Sequence, residues 1–257
     1  MRRPALPFAF LGILILAAVA CGNDTPTEPE LGEPDATFLF VGNSLTATNN
    51  LPSVVNTVAE AAGVDIETQV VALANFSLQD HWGQGLENFI RTVQPDVVVL
   101  QQGPSSLPQN QLNLREWTDS IARVVREVGG EPALLMVWPT PDRRFAFDDV
   151  RDAYLNAASG VGGTFVPAGE VMRVLLDEGS PELAPFAGDG FHPSPLGTVS
   201  AALALVGTLF DREVSELPVE MPAGSRGGVA ISIPPSTAEF VFAVTDSVVA
   251  AWEDDGG

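Results

Sequence analysis

DVVVL, from Asp96 to Leu100, is the most apolar of the strand-like stretches in this chain. Continuous apolar runs of this length are typical of strands that other elements cover on both faces, whereas a strand with one wet face alternates. The stretch therefore predicts a strand at the centre of a parallel sheet. Ile66–Leu73 has Glu67 and Gln69 between its apolar residues, which predicts a strand with one wetter face at an edge of that sheet.

Strand-like runs alternate with helical periods on both sides of this stretch. Apolar residues spaced by three and four predict helices at 51–62, 86–93, 117–128, 150–158 and 196–210. The strands are predicted at 37–41, 66–73, 96–100, 133–138 and 164–166. The alternation predicts an α/β fold, a three-layer α/β/α sandwich around a flavodoxin-like parallel five-stranded sheet of order 2-1-3-4-5.

The N-terminus has the features of a secretory signal peptide. Arg2 and Arg3 precede an apolar run at 8–19, and small residues lead into Cys21, the single cysteine. The arrangement also resembles the lipobox of bacterial lipoproteins, in which such a cysteine is lipidated. An ordinary thiol at the end of a signal peptide or membrane anchor is the alternative. We expect an exported protein that a lipid on Cys21 holds at a membrane of the cell envelope.

Residues 22–35 are rich in Pro, Thr, Glu and Gly and have no apolar period, which predicts a flexible acidic stalk. After residue 212 the periodicity weakens, and a Pro- and Gly-rich segment precedes a last helical stripe. The expected organisation is a signal peptide at 1–21, a stalk at 22–35, one domain at 36–252 and a tail at 253–257. Within that domain, the core is 36–212, and 213–252 forms a surface wrap and a helix.

The chain is strongly acidic, with 33 Asp and Glu residues against 12 basic residues, which gives a formal net charge of −21. Such a charge repels phosphates, and it excludes nucleic acid as a partner. It also disfavours electrostatic binding to anionic lipid, so we expect membrane contact through a covalent anchor. The sequence predicts no cofactor and no metal site, because no histidine–carboxylate cluster has metal-ligand spacing.

Two short motifs lie far apart in the predicted domain. Gly42-Asn43-Ser44-Leu45 follows the first strand, and Asp189-Gly190-Phe191-His192 precedes the helix predicted at 196–210. Together they supply the hydroxyl, the imidazole and the carboxylate that a serine hydrolase needs. We expect His192 to face Ser44 with one ring nitrogen and Asp189 with the other. A helix that begins after the first strand would also aim the Ser44 amide at an oxyanion.

At these residues the chain resembles the SGNH (GDSL-type) hydrolases. The likeness covers about residues 36–212 and rests on three segments: GNSL at 42–45, LQQGPSS at 100–106 and DGFHPS at 189–194. The resemblance implies a three-layer α/β/α fold and ester hydrolysis through an acyl-enzyme. It also implies Ser44 as the nucleophile, His192 as the base and Asp189 as the partner of His192.

Two positions depart from the pattern of that family, and both concern the oxyanion hole. After the second strand the family usually has a glycine whose amide serves as a donor, and this chain has Ala74-Asn75. After the third strand the family usually has an asparagine, and this chain has Gln101-Gln102-Gly103. The Ala74 amide is still a donor. For the side-chain donor we prefer Gln102, then Asn75, then Gln101.

Two aromatic residues beyond the strand ends have more than one interpretation. His81 could line an acyl or sugar pocket, and the alternative that we favour is a loop histidine that packs on Trp82 or caps a helix. Trp138 could form a pocket wall, and here we favour a core residue.

The sequence as a whole predicts an exported serine esterase, and O-acyl groups on carbohydrates are a natural substrate at a cell surface. Acyl transfer to another alcohol uses the same acyl-serine, so an acyltransferase stays open. A non-catalytic surface lipoprotein that binds a small ligand also stays open, because the two oxyanion departures favour it.

Overall fold

A computed structural model of the protein describes residues 31–253. The predicted signal peptide, Cys21 and the stalk up to residue 30 lie outside the described residues, as does the end of the tail from residue 254 onward. The described part contains a parallel sheet of five strands in the order β2-β1-β3-β4-β5, so the predicted fold and strand order are confirmed. The sheet strands are β1 (Ala36–Gly42), β2 (Ile66–Ala72), β3 (Val97–Leu100), β4 (Glu131–Leu135) and β5 (Thr164–Val166).

Helices connect successive strands and cover the sheet. They are α1 (Ser44–Ala47), α2 (Leu51–Ala61), α3 (Leu78–Gly83), α4 (Leu86–Val93), α5 (Pro108–Glu127), α6 (Phe147–Gly160), α7 (Ala168–Glu178), α8 (Pro195–Phe210) and α9 (Pro235–Glu253). Helices α2, α7 and α9 all contact α8, while α5 contacts α3, α4 and α6. None of the helices within residues 31–253 combines the length and the apolar character that crossing a bilayer requires.

The composition of each strand explains its place in the sheet. β3 lies between β1 and β4, and its residues Val98, Val99 and Leu100 are buried. β2 lies at the edge and pairs with β1 alone, which leaves Val70 46% exposed. The central and edge positions therefore follow the continuous and interrupted apolar patterns of the two strands.

The structure differs from the sequence-based elements at four of them. Helices α3 and α7 were not predicted, and α5 begins at Pro108, well before the predicted stripe at 117. The first turn of α5 carries the polar residues Gln109, Asn110 and Gln111, so hydrophobic periodicity does not mark it, and Pro108 at its start is a favourable first helical residue. β4 ends at Leu135, although the buried apolar run continues to Trp138.

The segment between α8 and α9 runs over helix α2. The Thr57 hydroxyl donates to the carbonyl of Val229 at 2.8 Å, and Glu60 accepts the amide of Ser225 at 2.6 Å. A short antiparallel pair, β6 (Glu220–Met221) with β7 (Ile231–Ser232), shapes this segment. These contacts, together with the buried side chains of Met221, Ile231 and Ile233, hold the segment against the domain.

Candidate active site

Ser44 occupies the first turn of a helix at the carboxyl end of β1. Asn43 caps that helix, because its side-chain Oδ1 accepts the N–H of Leu45 at 3.0 Å. The Asn43 Nδ2 donates to the carbonyl of Phe76 at 3.2 Å, which fixes the cap. A first-turn N–H has no intrahelical acceptor, so the amide of Ser44 can serve a bound anion.

Gln101 supports the serine turn, the backbone at residues 43–46. Its Oε1 accepts the amide of Asn43 at 2.9 Å and the hydroxyl of Thr46 at 2.7 Å. Its Nε2 donates to Asn43 Oδ1 at 3.1 Å and to the carbonyl of Gln102 at 2.5 Å. Both amide hydrogens are engaged and the side chain is buried, so Gln101 is corrected from an oxyanion candidate to a support of the turn.

His81 also supports the serine turn, from helix α3. Its Nε2–H donates to the carbonyl of Gly42 at 2.7 Å, and its ring packs on Phe76 with centroids 5.1 Å apart. Only 1% of the residue is exposed, and burial lowers the pKa of the imidazole. The interpretation of His81 as a pocket residue is therefore wrong. The favoured alternative, a histidine whose ring packs on a neighbouring aromatic side chain, holds, but the neighbour is Phe76 and not Trp82.

Asp189 and His192 form one compact turn before α8. The carboxylate Oδ1 of Asp189 accepts the amides of Phe191 and His192 at 2.9 and 3.0 Å. Its Oδ2 accepts His192 Nδ1–H at 2.6 Å. The His192 ring, and then the two amides, lower the pKa of Asp189 to about 2. The carboxylate is thus an anion that fixes the proton on Nδ1 and leaves Nε2 as an acceptor.

The fold brings this turn to the serine. His192 Nε2 lies 3.0 Å from Ser44 Oγ, although the two residues are 148 positions apart in the chain. The three side chains that the motifs supplied therefore form one hydrogen-bonded series, Asp189–His192–Ser44. In this geometry the imidazole can accept the hydroxyl proton while the carboxylate stabilises the resulting cation.

A cavity of about 360 Å³ opens beside Ser44. Its lining is polar but carries no ionisable side chain, with amides from Asn43, Asn75, Gln102, Asn110 and Asn113. Phe76 and Phe191 add two aromatic faces. Asn110 and Asn113 were not among the predicted site residues, because the polar start of α5 gives no sign in the sequence that it reaches the site.

The other predicted oxyanion donors differ in whether they reach the cavity. Asn75 and Gln102 line the cavity with Ser44, whereas Ala74 is exposed and does not line it. Asn75 has a left-handed backbone with φ +63°, which asparagine tolerates better than most residues. Gln102 Nε2 donates to Ser105 Oγ at 2.9 Å, which leaves its second amide hydrogen for another acceptor.

Trp138 is a core residue with one polar contact. It is 2% exposed, packs against Phe186 and does not line the cavity, so its interpretation as a pocket wall is wrong. Its indole N–H donates to the carbonyl of Phe191 at 3.1 Å. Across residues 31–253 no group of three or more His, Cys, Asp or Glu side chains is placed to hold a metal ion.

Comparisons with known proteins agree on the fold. No family model and no curated protein matches the chain. A DUF4886 family protein from Bacteroides uniformis superposes with a TM-score of 0.67 at 16% identity, over 83% of this chain and 94% of that one. A candidate SGNH hydrolase from Slackia heliotrinireducens superposes with a TM-score of 0.54 at 22% identity, over 67% of this chain and 98% of its own.

A carbohydrate esterase is also among the similar structures. The family 3 carbohydrate esterase from Clostridium thermocellum superposes with a TM-score of 0.54 at 17% identity, over 68% of this chain and 96% of its own. Identities this low establish architecture and leave chemistry to the site. The described domain therefore has the α/β/α fold of the SGNH hydrolases.

Proposed function

We propose that the protein is a serine esterase that works through an acyl-serine intermediate. One observation carries the proposal: the uninterrupted series from Asp189 Oδ2 through the His192 ring to Ser44 Oγ, at 2.6 and 3.0 Å. A serine hydroxyl becomes a useful nucleophile when an oriented imidazole can take its proton. The series ends at a cavity large enough for a small ester.

In the proposed reaction, Ser44 Oγ attacks the ester carbonyl carbon as its proton passes to His192 Nε2. The tetrahedral oxyanion accepts hydrogen bonds from the Ser44 amide and from Gln102 or Asn75. His192 returns the proton to the leaving alcohol as the carbon–oxygen bond breaks. Water, deprotonated by His192, then attacks the acyl-serine, which releases the carboxylic acid and restores the hydroxyl of Ser44.

The cavity lining supports a neutral, hydroxyl-rich alcohol as the substrate. Amide side chains can donate to and accept from sugar hydroxyls, and the two aromatic faces can pack against a sugar ring. The residues that line the cavity carry no ionisable side chain, so none of them would form an ion pair with a charged group of the substrate. We propose short O-acyl groups on neutral carbohydrates or related small alcohols as substrates. Solved structures with this fold include an acetylxylan esterase and a carbohydrate esterase, which supports this substrate class.

We propose in addition that the enzyme is exported and anchored by lipid on Cys21. The support is the sequence of the leader, with its arginines, its apolar run and the single cysteine. The predicted stalk at 22–35 would then connect the lipid to the domain that begins near residue 36. Metabolic labelling with a palmitate analogue in a bacterial host tests this point, and Cys21→Ala should remove the label.

The test of the reaction is hydrolysis of p-nitrophenyl acetate by the purified protein. Ser44→Ala should lower kcat/KM by about 10⁴-fold or more, because the nucleophile is removed. Ser159→Ala is the matched control, since this exposed serine lies at the end of α6, and it should leave the rate unchanged. A Ser44→Ala rate equal to that of the parent would exclude Ser44 from the mechanism.

Product analysis separates hydrolysis from the two alternatives. With an activated acetyl ester and neutral xylo-oligosaccharide acceptors, hydrolysis yields free acetate. Acetylated sugar as the main product would replace the esterase by an acyltransferase. Absence of turnover, together with no labelling of Ser44 by a phosphonate probe in folded protein, would favour a non-catalytic binding protein.

A further inference from the structure

The backbone on both sides of His192 is held by side chains from distant parts of the chain. The carbonyl of Phe191 accepts the indole N–H of Trp138 at 3.1 Å. The carbonyl of Pro193 accepts the side-chain amide of Asn49 at 3.0 Å. The two donors thus bracket the residue whose imidazole must meet Ser44.

The turn that carries His192 also has hydrogen bonds within itself. The amide of Ala187 donates to the carbonyl of His192 at 2.8 Å, and Asp189 accepts the amide of His192 at 3.0 Å. These local bonds set the shape of the turn. They do not set its distance from Ser44, because both partners move with the turn.

Asn49 connects this turn to the segment of the nucleophile. It follows Ser44 by five positions and has a left-handed backbone with φ +54°. Its Nδ2 donates to Thr198 Oγ1 at 2.8 Å as well as to Pro193. Both hydrogens of the Asn49 amide are therefore donated, one to the turn that carries His192 and one to the first turn of α8. Asn49 thus links the segment that follows Ser44 directly to the segment that carries His192.

Trp138 connects the same turn to the sheet. It lies just beyond β4, and with 2% exposure its ring is fixed by packing. A buried indole N–H needs an acceptor, and the carbonyl of Phe191 supplies it. The turn is thus held to the sheet on one side of His192 and to the serine segment on the other.

We propose that Asn49 and Trp138 are positioning residues that act as a two-point clamp on His192, and that this clamp sets the distance between Nε2 and Ser44 Oγ. The inference rests on the proposed esterase function. Neither residue touches the reacting atoms. Their effect reaches the reaction through the position of the imidazole, where errors of about 1 Å can cost a hundredfold in rate.

The variants remove one donor each and keep the local structure. Asn49→Gly deletes the amide and suits the left-handed backbone. Its matched control is Asn50→Gly, because Asn50 also has a left-handed backbone, with φ +55°, and its side-chain amide donates to Ser53 Oγ at 2.6 Å. Trp138→Phe keeps an aromatic ring without the N–H. Trp117→Phe is its control, since that ring packs on Trp82 at 6.0 Å, away from the histidine turn.

Both clamp variants should lower kcat on p-nitrophenyl acetate by about 10- to 100-fold with little change in KM, while both controls keep the parent rate. On a His192→Ala background, Asn49→Gly and Trp138→Phe should have no further effect on the residual rate. A structural role alone would lower the melting temperature without this dependence on His192. Unchanged kcat in both clamp variants, or equal losses with and without His192, would overturn the proposal.

A second readout does not need turnover. In the folded protein, the nitrogen resonance of His192 Nε2 should report the hydrogen bond to Ser44 Oγ, because these two atoms lie 3.0 Å apart. Asn49→Gly and Trp138→Phe should broaden this resonance, and the controls should not. If the parent hydrolyses no ester, the esterase proposal fails, and the resonance alone decides the clamp: an unchanged resonance in both variants overturns it.

Discussion

Single residues in this site differ in how many of their hydrogen-bonding atoms are already engaged. The carboxylate of Asp189 accepts three N–H groups, and its pKa of about 2 keeps it charged under any ordinary condition. The amide of Gln101 is fully engaged, so it is structural. Ser44, Asn75 and Gln102 line the cavity, and the Gln102 amide keeps one hydrogen beyond the bond to Ser105, so these residues can still donate to a substrate.

His81 should make the stability of the protein depend on pH. In the folded state, burial lowers the imidazole pKa of His81 below its ordinary value of 6.5. As the pH falls, the unfolded chain therefore binds a proton at this histidine before the folded protein does. The free energy of unfolding should therefore decrease as the pH drops below about 6.5. His81→Gln cannot titrate, and its free energy of unfolding should fall less between about pH 7 and pH 5 than that of the parent.

Urea unfolding at a series of pH values measures this effect. His192→Gln is the control, because it removes the other histidine and leaves the contribution of His81 in place. Parallel pH profiles for the parent and His81→Gln would show that the buried imidazole has no part in the pH dependence.

At the scale of elements, helix α9 is held by side-chain hydrogen bonds as well as by its apolar face. Asp246 on α9 accepts the amides of Val214 and Ser215 at 2.7 and 3.1 Å. These bonds cap the short turn at 214–216 that follows α8, and helix α9 in turn contacts α8. α9 therefore helps to hold the long buried helix that starts beside His192.

Asp246→Ala should destabilise the fold without changing the chemistry. Two backbone amides lose a charged acceptor, and the expected cost is about 1–3 kcal/mol in the free energy of unfolding. The kcat measured well below the melting temperature should equal that of the parent. Glu239→Ala, an exposed position on the same helix, is the control and should leave the stability unchanged. A lowered kcat in folded Asp246→Ala would show that α9 also influences the site.

The molecule as a whole carries an unbalanced charge of −21. Ion pairs engage many of its arginines, as in Arg91 with Glu87 and Glu127, but the acidic residues outnumber the basic ones almost threefold. The uncompensated carboxylates repel one another in the compact state more than in the unfolded chain.

Salt should therefore stabilise this protein. Raising NaCl from about 10 mM to about 0.5 M shortens the screening length from about 30 Å to a few ångströms, so the melting temperature at neutral pH should rise. Circular dichroism at both salt concentrations measures the shift. Near pH 4, where many of the carboxylates are protonated, the shift should be much smaller. A fall in melting temperature with salt at neutral pH would contradict net repulsion as the dominant electrostatic effect.

The parts of the site that could be predicted are those encoded by local patterns. The three side chains of the catalytic series lie in two short motifs whose residue types predicted the series. Strand order places Ser44 directly after β1, whereas helix α7 separates β5 from His192, so the approach of His192 to Ser44 was a prediction that strand order alone does not supply. Gln101 was expected among the oxyanion donors, and for His81 and Trp138 a pocket role was left open beside the favoured packing roles. Each follows a strand end, yet each turns inward to a backbone or side-chain partner that the sequence does not identify.

The sequence by itself determined the sheet, its order and the chemistry available at its carboxyl edge, because apolar period and turn residues act over a few positions. Only the tertiary structure decided which polar side chains face the cavity and which support it from behind. That choice depends on single hydrogen bonds between residues such as Asn49 and Pro193, 144 positions apart. Such bonds form where packing places donor and acceptor within about 3 Å, and no local pattern encodes that distance.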